Sequence, residues 1–228
     1  MMSENTDSRI SIQVSLSGYS FKVGRDGSVR NSGWLGPDRI FTTPEFQCRY
    51  DKVAISLMTH KCALVPAHFF DPGAARQMLS DAVKLHETDA VEYVEVPSAG
   101  AVLVFSNSIG ESLSRAVAQT VYTTAGESVR VLPELYYILE GLQDCPEYNK
   151  ILCSYMDGWL HVAVAQGKSL LLANVFEAAD FTTAEYFIFL VMKKLQLNPE
   201  VSTICFRTPL RPEQEMSLYR YFKAVEVL

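Results

Sequence analysis

One pattern occurs twice in this chain and constrains its fold more than anything else in the sequence. Ile10, Ile12, Val14 and Leu16 alternate with Ser11, Gln13, Ser15 and Ser17, and Gly18-Tyr19 leads into residues 20–23. Far downstream Leu160, Val162 and Val164 alternate with His161, Ala163 and Ala165, and Gly167-Lys168 leads into residues 169–172. Each reads as a strand, a Gly-x-Ser corner and a second strand. Glycine at the first central position of a two-residue hairpin suits a type II′ turn, whose twist matches that of its strands. Two such hairpins, one early and one late, predict an internally duplicated fold. The windows 9–24 and 159–174 contain no Asp or Glu.

The rest of the composition mainly excludes. At 228 residues the chain makes one large domain or two small ones, enough to bury roughly 70–75% of its unfolded surface. A net charge of −6 argues against nucleic acid, which demands a basic face to neutralise phosphates. The densest apolar stretch, residues 186–192, is far short of the ~20 residues that span a bilayer. The polar start of the chain lacks the apolar run of a signal peptide. Cys48, Cys62, Cys145, Cys153 and Cys205 are scattered and odd in number, which reads as buried thiols in a reducing compartment. A cytoplasmic protein without structural disulfides is the expectation.

Along the chain, the breakers Gly24, Gly27, Gly33, Gly36, Pro37 and Pro44 mark a loop-like insertion. Trp34 and Phe41 are expected to fold back from it onto the core. Strands are predicted at 53–58, 62–66, 93–96 and 101–105. Asp71-Pro72 opens a helix carrying Ala75, Met78, Leu79, Ala82 and Val83 on one face. Ser108 with Glu111 forms a capping box for a second helix, and 132–142 reads as a third. In the second half, 151–155, 160–165 and 169–175 form a meander. Thr182 with Glu185 caps the next helix, whose apolar run 186–192 implies burial on both sides. A strand at 202–206, a helix opened by Pro212 and a closing strand at 224–228 complete a β-β-β-α-β-α order.

That order is similar to a ribonuclease-H-like unit, and the first half is readable as the same unit with insertions. Two such units in tandem describe the actin-like ATPase superfamily. More closely, the chain resembles an uncharacterised bacterial family with an actin-like ATPase fold. The residues that carry this are 12–23, Val65-Pro66 with Phe69-Phe70, and 171–176 followed by Asp180-Phe181 and the Tyr186 helix. The resemblance implies an α/β fold with mixed sheets, divided into units at 1–145 and 146–228. In ATPase members each hairpin carries an Asp-x-Gly-x-x-Ser/Thr-like phosphate loop whose acid organises Mg²⁺ and water. Here Ser15 and Ser17 fall at the Asp and Gly positions, and Val164 and Gln166 fall at them in the second hairpin. The usual Gly-Gly pair beside adenosine is missing as well.

The candidate site is therefore a degenerate pair of phosphate loops: Ser17, Gly18 and Ser20 in one hairpin, and Gly167, Lys168 and Ser169 in the other. The plainer interpretation is that both glycines only serve turns. ATP with Mg²⁺ is disfavoured and no metal site is expected, because His60, His68, His86 and His161 lack ligand spacing. His161, on an alternating strand, reads as a half-buried side chain with a hydrogen-bond partner. Glu92 and Glu95 read as solvated carboxylates at a strand start. No nucleophile elbow or Walker-type loop occurs. Function reads as a non-catalytic binding or assembly module with an unknown protein partner, compatible with a homo-oligomer. The alternative is a divergent nucleotide-binding enzyme using acids outside the hairpins.

Overall fold

The computed structural model describes residues 8–25, 27–108, 111–127 and 129–228. By compactness the chain forms one unit from Met1–Met58 and Ile109–Leu132, and a second from Thr59–Ser108 and Pro133–Leu228.

The first unit is built on a five-stranded sheet. From edge to edge it runs Ser28–Asn31, Tyr19–Arg25, Arg9–Val14, Lys52–Leu57 and Val131–Pro133. Arg9–Val14 pairs antiparallel with Tyr19–Arg25 and parallel with Lys52–Leu57. Ile10, Ile12, Val14, Phe21 and Ile55 are almost wholly buried, packed with Val117 and Val121 from the helix Glu111–Thr120 and the residue after it. The Ser108–Glu111 capping box rests on residues 109–110 and the Glu111 side chain, which lie outside the described residues; the Ser108 hydroxyl accepts from the Ala90 N–H at 3.2 Å.

The second unit repeats the strand order. Its five-stranded sheet runs Ser169–Glu177, Trp159–Gln166, Asn149–Met156, Thr203–Phe206 and Ala224–Val227. Again the first strand in sequence pairs antiparallel with the second and parallel with the fourth. Numbered by their order in the chain, both sheets read third, second, first, fourth, fifth. This shared order is an internal duplication, but the two hairpins singled out in the sequence are not counterparts within it. Residues 10–23 join the first and second strands of their sheet, whereas 160–175 join the second and third of the other. The first-to-second hairpin of that second sheet turns at Asp157-Gly158. Ile151, Cys153, Leu160, Val162 and Val164 pack against Ile188, Val191 and Met192 of the helix Phe181–Lys194. The opposite face carries small or polar residues, Ser154, His161, Ala163 and Ala165, all buried, and the helix Glu134–Gly141 lies on it. Small side chains there let that helix approach closely. An antiparallel strands' layer, Cys62–Pro66, Ala101–Phe105 and Glu92–Val96, completes the unit. It is packed by Ala75 and Leu79 of the helix Ala75–Ala82. Asp71 caps the approach to this helix through the Gly73 N–H at 2.9 Å.

Several local expectations are corrected. Gly18-Tyr19 is not a two-residue turn, because Val14 pairs with Tyr19 and a four-residue loop, 15–18, joins the strands. Ser15 N–H closes it on the Gly18 carbonyl at 2.8 Å. Gly18 takes φ +155°, and a Cβ there would sit 2.1 Å from the Leu35 carbonyl oxygen. Close backbone approach is what demands the glycine. The second hairpin matches its sequence: Gln166 pairs with Ser169 across Gly167-Lys168. Gly167 has φ +57° and Lys168 does not share the positive φ, the combination of a II′ turn.

The insertion is not a plain loop, since it contains the strand Ser28–Asn31 and the 3₁₀ turn Pro37–Thr42. Phe41 stays 72% exposed, and its neighbour Ile40 and Phe46 enter the core instead. Asp180, two residues before Thr182, caps the long helix through Thr183 N–H at 2.7 Å. That helix buries one stripe rather than two sides, leaving Tyr186 60% exposed.

The two glycines separate turn strain from backbone crowding. Gly18→Ala should cost about 3 kcal/mol, since Leu35 is held to Tyr19 by two backbone hydrogen bonds and cannot retreat. Gly167→Ala should cost about 1 kcal/mol, because its new Cβ meets only the exposed Tyr148 ring at 3.0 Å. Urea denaturation of both variants measures the difference. Equal costs would contradict the close approach at Gly18.

Candidate functional site

The two hairpins supply different groups in their own units. In the first, the hydroxyl of the exposed Ser17 lies 3.3 Å from that of the buried Ser15. The Ser20 hydroxyl is buried and donates to Gln13 Oε1 at 3.0 Å. In the second, the Gly167 N–H donates to the Tyr148 carbonyl at 2.8 Å. Lys168 and Ser169 are exposed. A phosphate loop works by presenting uncommitted N–H and hydroxyl donors to an anion. Here the Ser20 hydroxyl and the Gly167 N–H already serve protein acceptors.

The densest buried polar constellation lies elsewhere, on the covered face of the second unit's sheet. Glu134, the first residue of the helix Glu134–Gly141, has no exposed surface. Its Oε1 accepts from the Ser154 hydroxyl at 2.6 Å and from Arg207 Nε at 3.0 Å. The Arg207 guanidinium also lies over the Tyr137 ring, 5.5 Å from its centroid. Tyr137 follows Glu134 by three residues, so both occupy one helix face. Arginine suits this position because its flat cation can hydrogen-bond at one edge and stack on its face.

His161 sits on the adjoining strand, paired with Ser154. It is fully buried rather than half-buried, with Nε2 2.9 Å from the Thr59 carbonyl. Nδ1 has no hydrogen-bond partner. Burial pushes its pKa below the usual histidine range, although the Thr59 carbonyl and Glu134 pull the other way. The imidazole is accordingly neutral at pH 7, with Nε2–H donating to Thr59. His60 stacks on Trp159 at 4.0 Å.

A second buried ion pair joins Lys61 and Asp89, 2.5 Å apart and each 4% exposed. The same Asp89 oxygen accepts the His86 N–H at 2.8 Å. Burial alone would raise the Asp89 pKa, but the Lys61 hydrogen bond, the His86 N–H and the Lys61 charge together hold it below the usual carboxylate range.

These acids were not singled out by sequence reasoning. Glu134 follows Pro133 at the head of the mostly apolar run 131–142, which also holds Glu140, and an acid among apolar residues was the available signal. Asp89 offered none. Both carboxylates are enclosed and charge-paired, so they brace the unit rather than face a substrate. Glu92 and Glu95 are exposed, as the sequence suggests. Among the described residues no three His, Cys, Asp or Glu side chains gather as a metal site. No described helix is long and apolar enough to cross a membrane. All five cysteines are free thiols and four are buried.

No curated protein sequence matches the chain. Among solved structures, it is similar to a Bacteroides thetaiotaomicron protein with an actin-like ATPase fold and unknown function. That likeness has 15% identity, covers 100% of this chain and 94% of the other, and has a TM-score of 0.67. It is also similar to a structure of the PilM–PilN type IV pilus biogenesis complex, at 12% identity over 96% of this chain and 88% of that one, with a TM-score of 0.53. The fold is thus the α/β actin-like ATPase fold of two ribonuclease-H-like units, and no Asp or Glu lies on the first two strands of either five-stranded sheet. A profile covering residues 38–225 supplies the family: the chain belongs to the one described as protein of unknown function (DUF3822).

Proposed function

We propose that this protein is a non-catalytic binding or assembly module of the bacterial cytoplasm, with its two ribonuclease-H-like units divided near residue 145. One observation carries this reading: no Asp or Glu lies on the first two strands of either five-stranded sheet, and the one carboxylate of the two hairpins they form, Asp157, sits at a turn. Mg²⁺ is a hard cation that binds through oxygen ligands, typically carboxylates, and the strands of neither hairpin offer one. Donors that would meet phosphate are engaged inside the protein, Ser20 with Gln13 and Gly167 with Tyr148. Asp89 and Glu134, acids outside the hairpins, are buried against Lys61 and Arg207. A role in assembly draws further support from the fold's appearance in the PilM–PilN complex. The partner is a protein, and nucleic acid does not suit a chain of net charge −6.

Thermal melts with Mg·ATP and Mg·ADP test the reading. A ligand present at 100 times its Kd stabilises by about 2.7 kcal/mol. Millimolar nucleotide is expected to leave the melting temperature unchanged, and a reproducible upward shift would favour a nucleotide-binding enzyme.

A further inference from the structure

The first unit has an open groove on the face of its sheet. The floor is formed by Phe21 and Val23, alternate residues of one strand, with Leu35 alongside. Its main section measures about 480 Å³. An adjoining section of about 250 Å³ shares Arg30, Pro44 and Glu45 with it. The groove has the size of a ligand site but the shape of a trough. Among the described residues Arg25, Arg30 and Arg39 line it against the one carboxylate of Glu45. Arg30 pairs with Glu45 at 2.9 Å, and Arg25 and Arg39 have no ion pair among the described residues. On a protein of net charge −6 this is a local reversal of sign.

Beside the groove runs the edge strand Ser28–Asn31, exposed at all four residues. Ser32 N–H donates to the Phe21 carbonyl at 3.0 Å, and Arg30 pairs with Val23. In an antiparallel ladder the hydrogen-bonded pairs alternate, so Phe21–Ser32 and Val23–Arg30 are bonded. The N–H and C=O of Val29 and Asn31 then point outward from the sheet, of which this strand is the edge. A strand added on that side would direct alternate side chains to the face that holds Arg30 and the groove.

We infer that this edge and groove dock an extended, acidic segment of a partner protein by strand addition. Main-chain hydrogen bonds to Val29 and Asn31 align it, and its alternate carboxylates meet Arg30, Arg39 and Arg25. The trough shape and open edge favour a peptide over a compact anion. The inference rests on the binding-module reading and names that module's partner class.

Random dodecapeptides displayed on phage and selected on the whole chain are the probe. Enriched sequences should carry acidic residues at alternate positions. The synthetic winner should lose about tenfold or more in affinity with an Arg30→Glu/Arg39→Glu variant, and lose affinity as salt rises. Val29→Pro should weaken binding similarly, because it removes an outward donor and no ladder bond, whereas Val29→Ala should not. The Arg30 side chain is 74% exposed, so loss of its pair with Glu45 should leave the melting temperature near the parent's. No enrichment, winners without acidic bias, or equal affinity for the arginine variant would each overturn the inference. Nucleotide binding fails separately: it would contradict the binding-module reading, while a failed peptide selection would remove only the groove.

Discussion

Glu134→Ala is expected to destabilise the protein by about 4 kcal/mol, within the range for removing one partner of a buried ion pair. Three losses combine. The buried Ser154 hydroxyl loses its acceptor, the Arg207 guanidinium loses its counter-charge, and a cavity opens where the helix meets the sheet. Glu134→Gln separates them, because an amide oxygen can still accept from Ser154 while the charge is gone. Its cost should be about half as large. The midpoint of urea unfolding at constant slope is the measurement. A change within about 0.5 kcal/mol for Glu134→Ala, the size expected of a surface position, would contradict the burial and pairing seen here.

Asp89→Asn is expected to cost about 3 kcal/mol for a similar reason, leaving the Lys61 ammonium enclosed without its partner. Asparagine keeps an oxygen for the His86 N–H, so the loss reports on charge rather than on that backbone bond. Lys61→Met in the Asp89→Asn background should then restore most of the stability, since a neutral pair of similar volume suits an enclosed site. A double-mutant cycle gives the coupling, expected at about 2 kcal/mol. The pH dependence has a definite sign. A carboxylate whose pKa is held down by folding contributes stability above its unfolded pKa, near 4, and that contribution fades as pH falls through the folded value. Parent protein should lose more stability than Asp89→Asn on acidification below about pH 4. Additive single costs, or parallel acid profiles, would show that the pair is not coupled.

The second hairpin was legible because strand alternation and a II′ corner leave local marks, although the two hairpins that suggested duplication hold different places in the two sheets. Alternation at 160–165 and the Gly167-Lys168 corner gave the second hairpin nearly to the residue. The first hairpin misled for a non-local reason: Gly18 answers to the carbonyl of Leu35, on another segment, rather than to its own turn. The adjacent apolar residues Ile40 and Phe41 compete for one core position, and the 3₁₀ turn that chooses Ile40 has no periodic signature. Asp180 and Thr182 both suit a cap, and backbone geometry selects the former.

The buried polar cluster was hidden by distance. Ser154 and Arg207 lie 20 and 73 residues from Glu134 in sequence, and only the sheet brings them to it. His161 read as half-buried because alternation with Ala163 and Ala165 suggested a solvent face. Those small residues instead mark where a helix lies close. The groove beside Ser28–Asn31 was also invisible, since its arginines sit in a segment whose glycines and prolines read as loop.

Release of inorganic phosphate from Mg·ATP, followed with the whole chain under multiple-turnover conditions, tests the central claim most directly. The absence of a carboxylate from the strands of both first-to-second hairpins predicts a rate indistinguishable from that of buffer with Mg·ATP. Turnover clearly above that background, abolished by substituting one acid while the melting temperature holds, would contradict the non-catalytic reading.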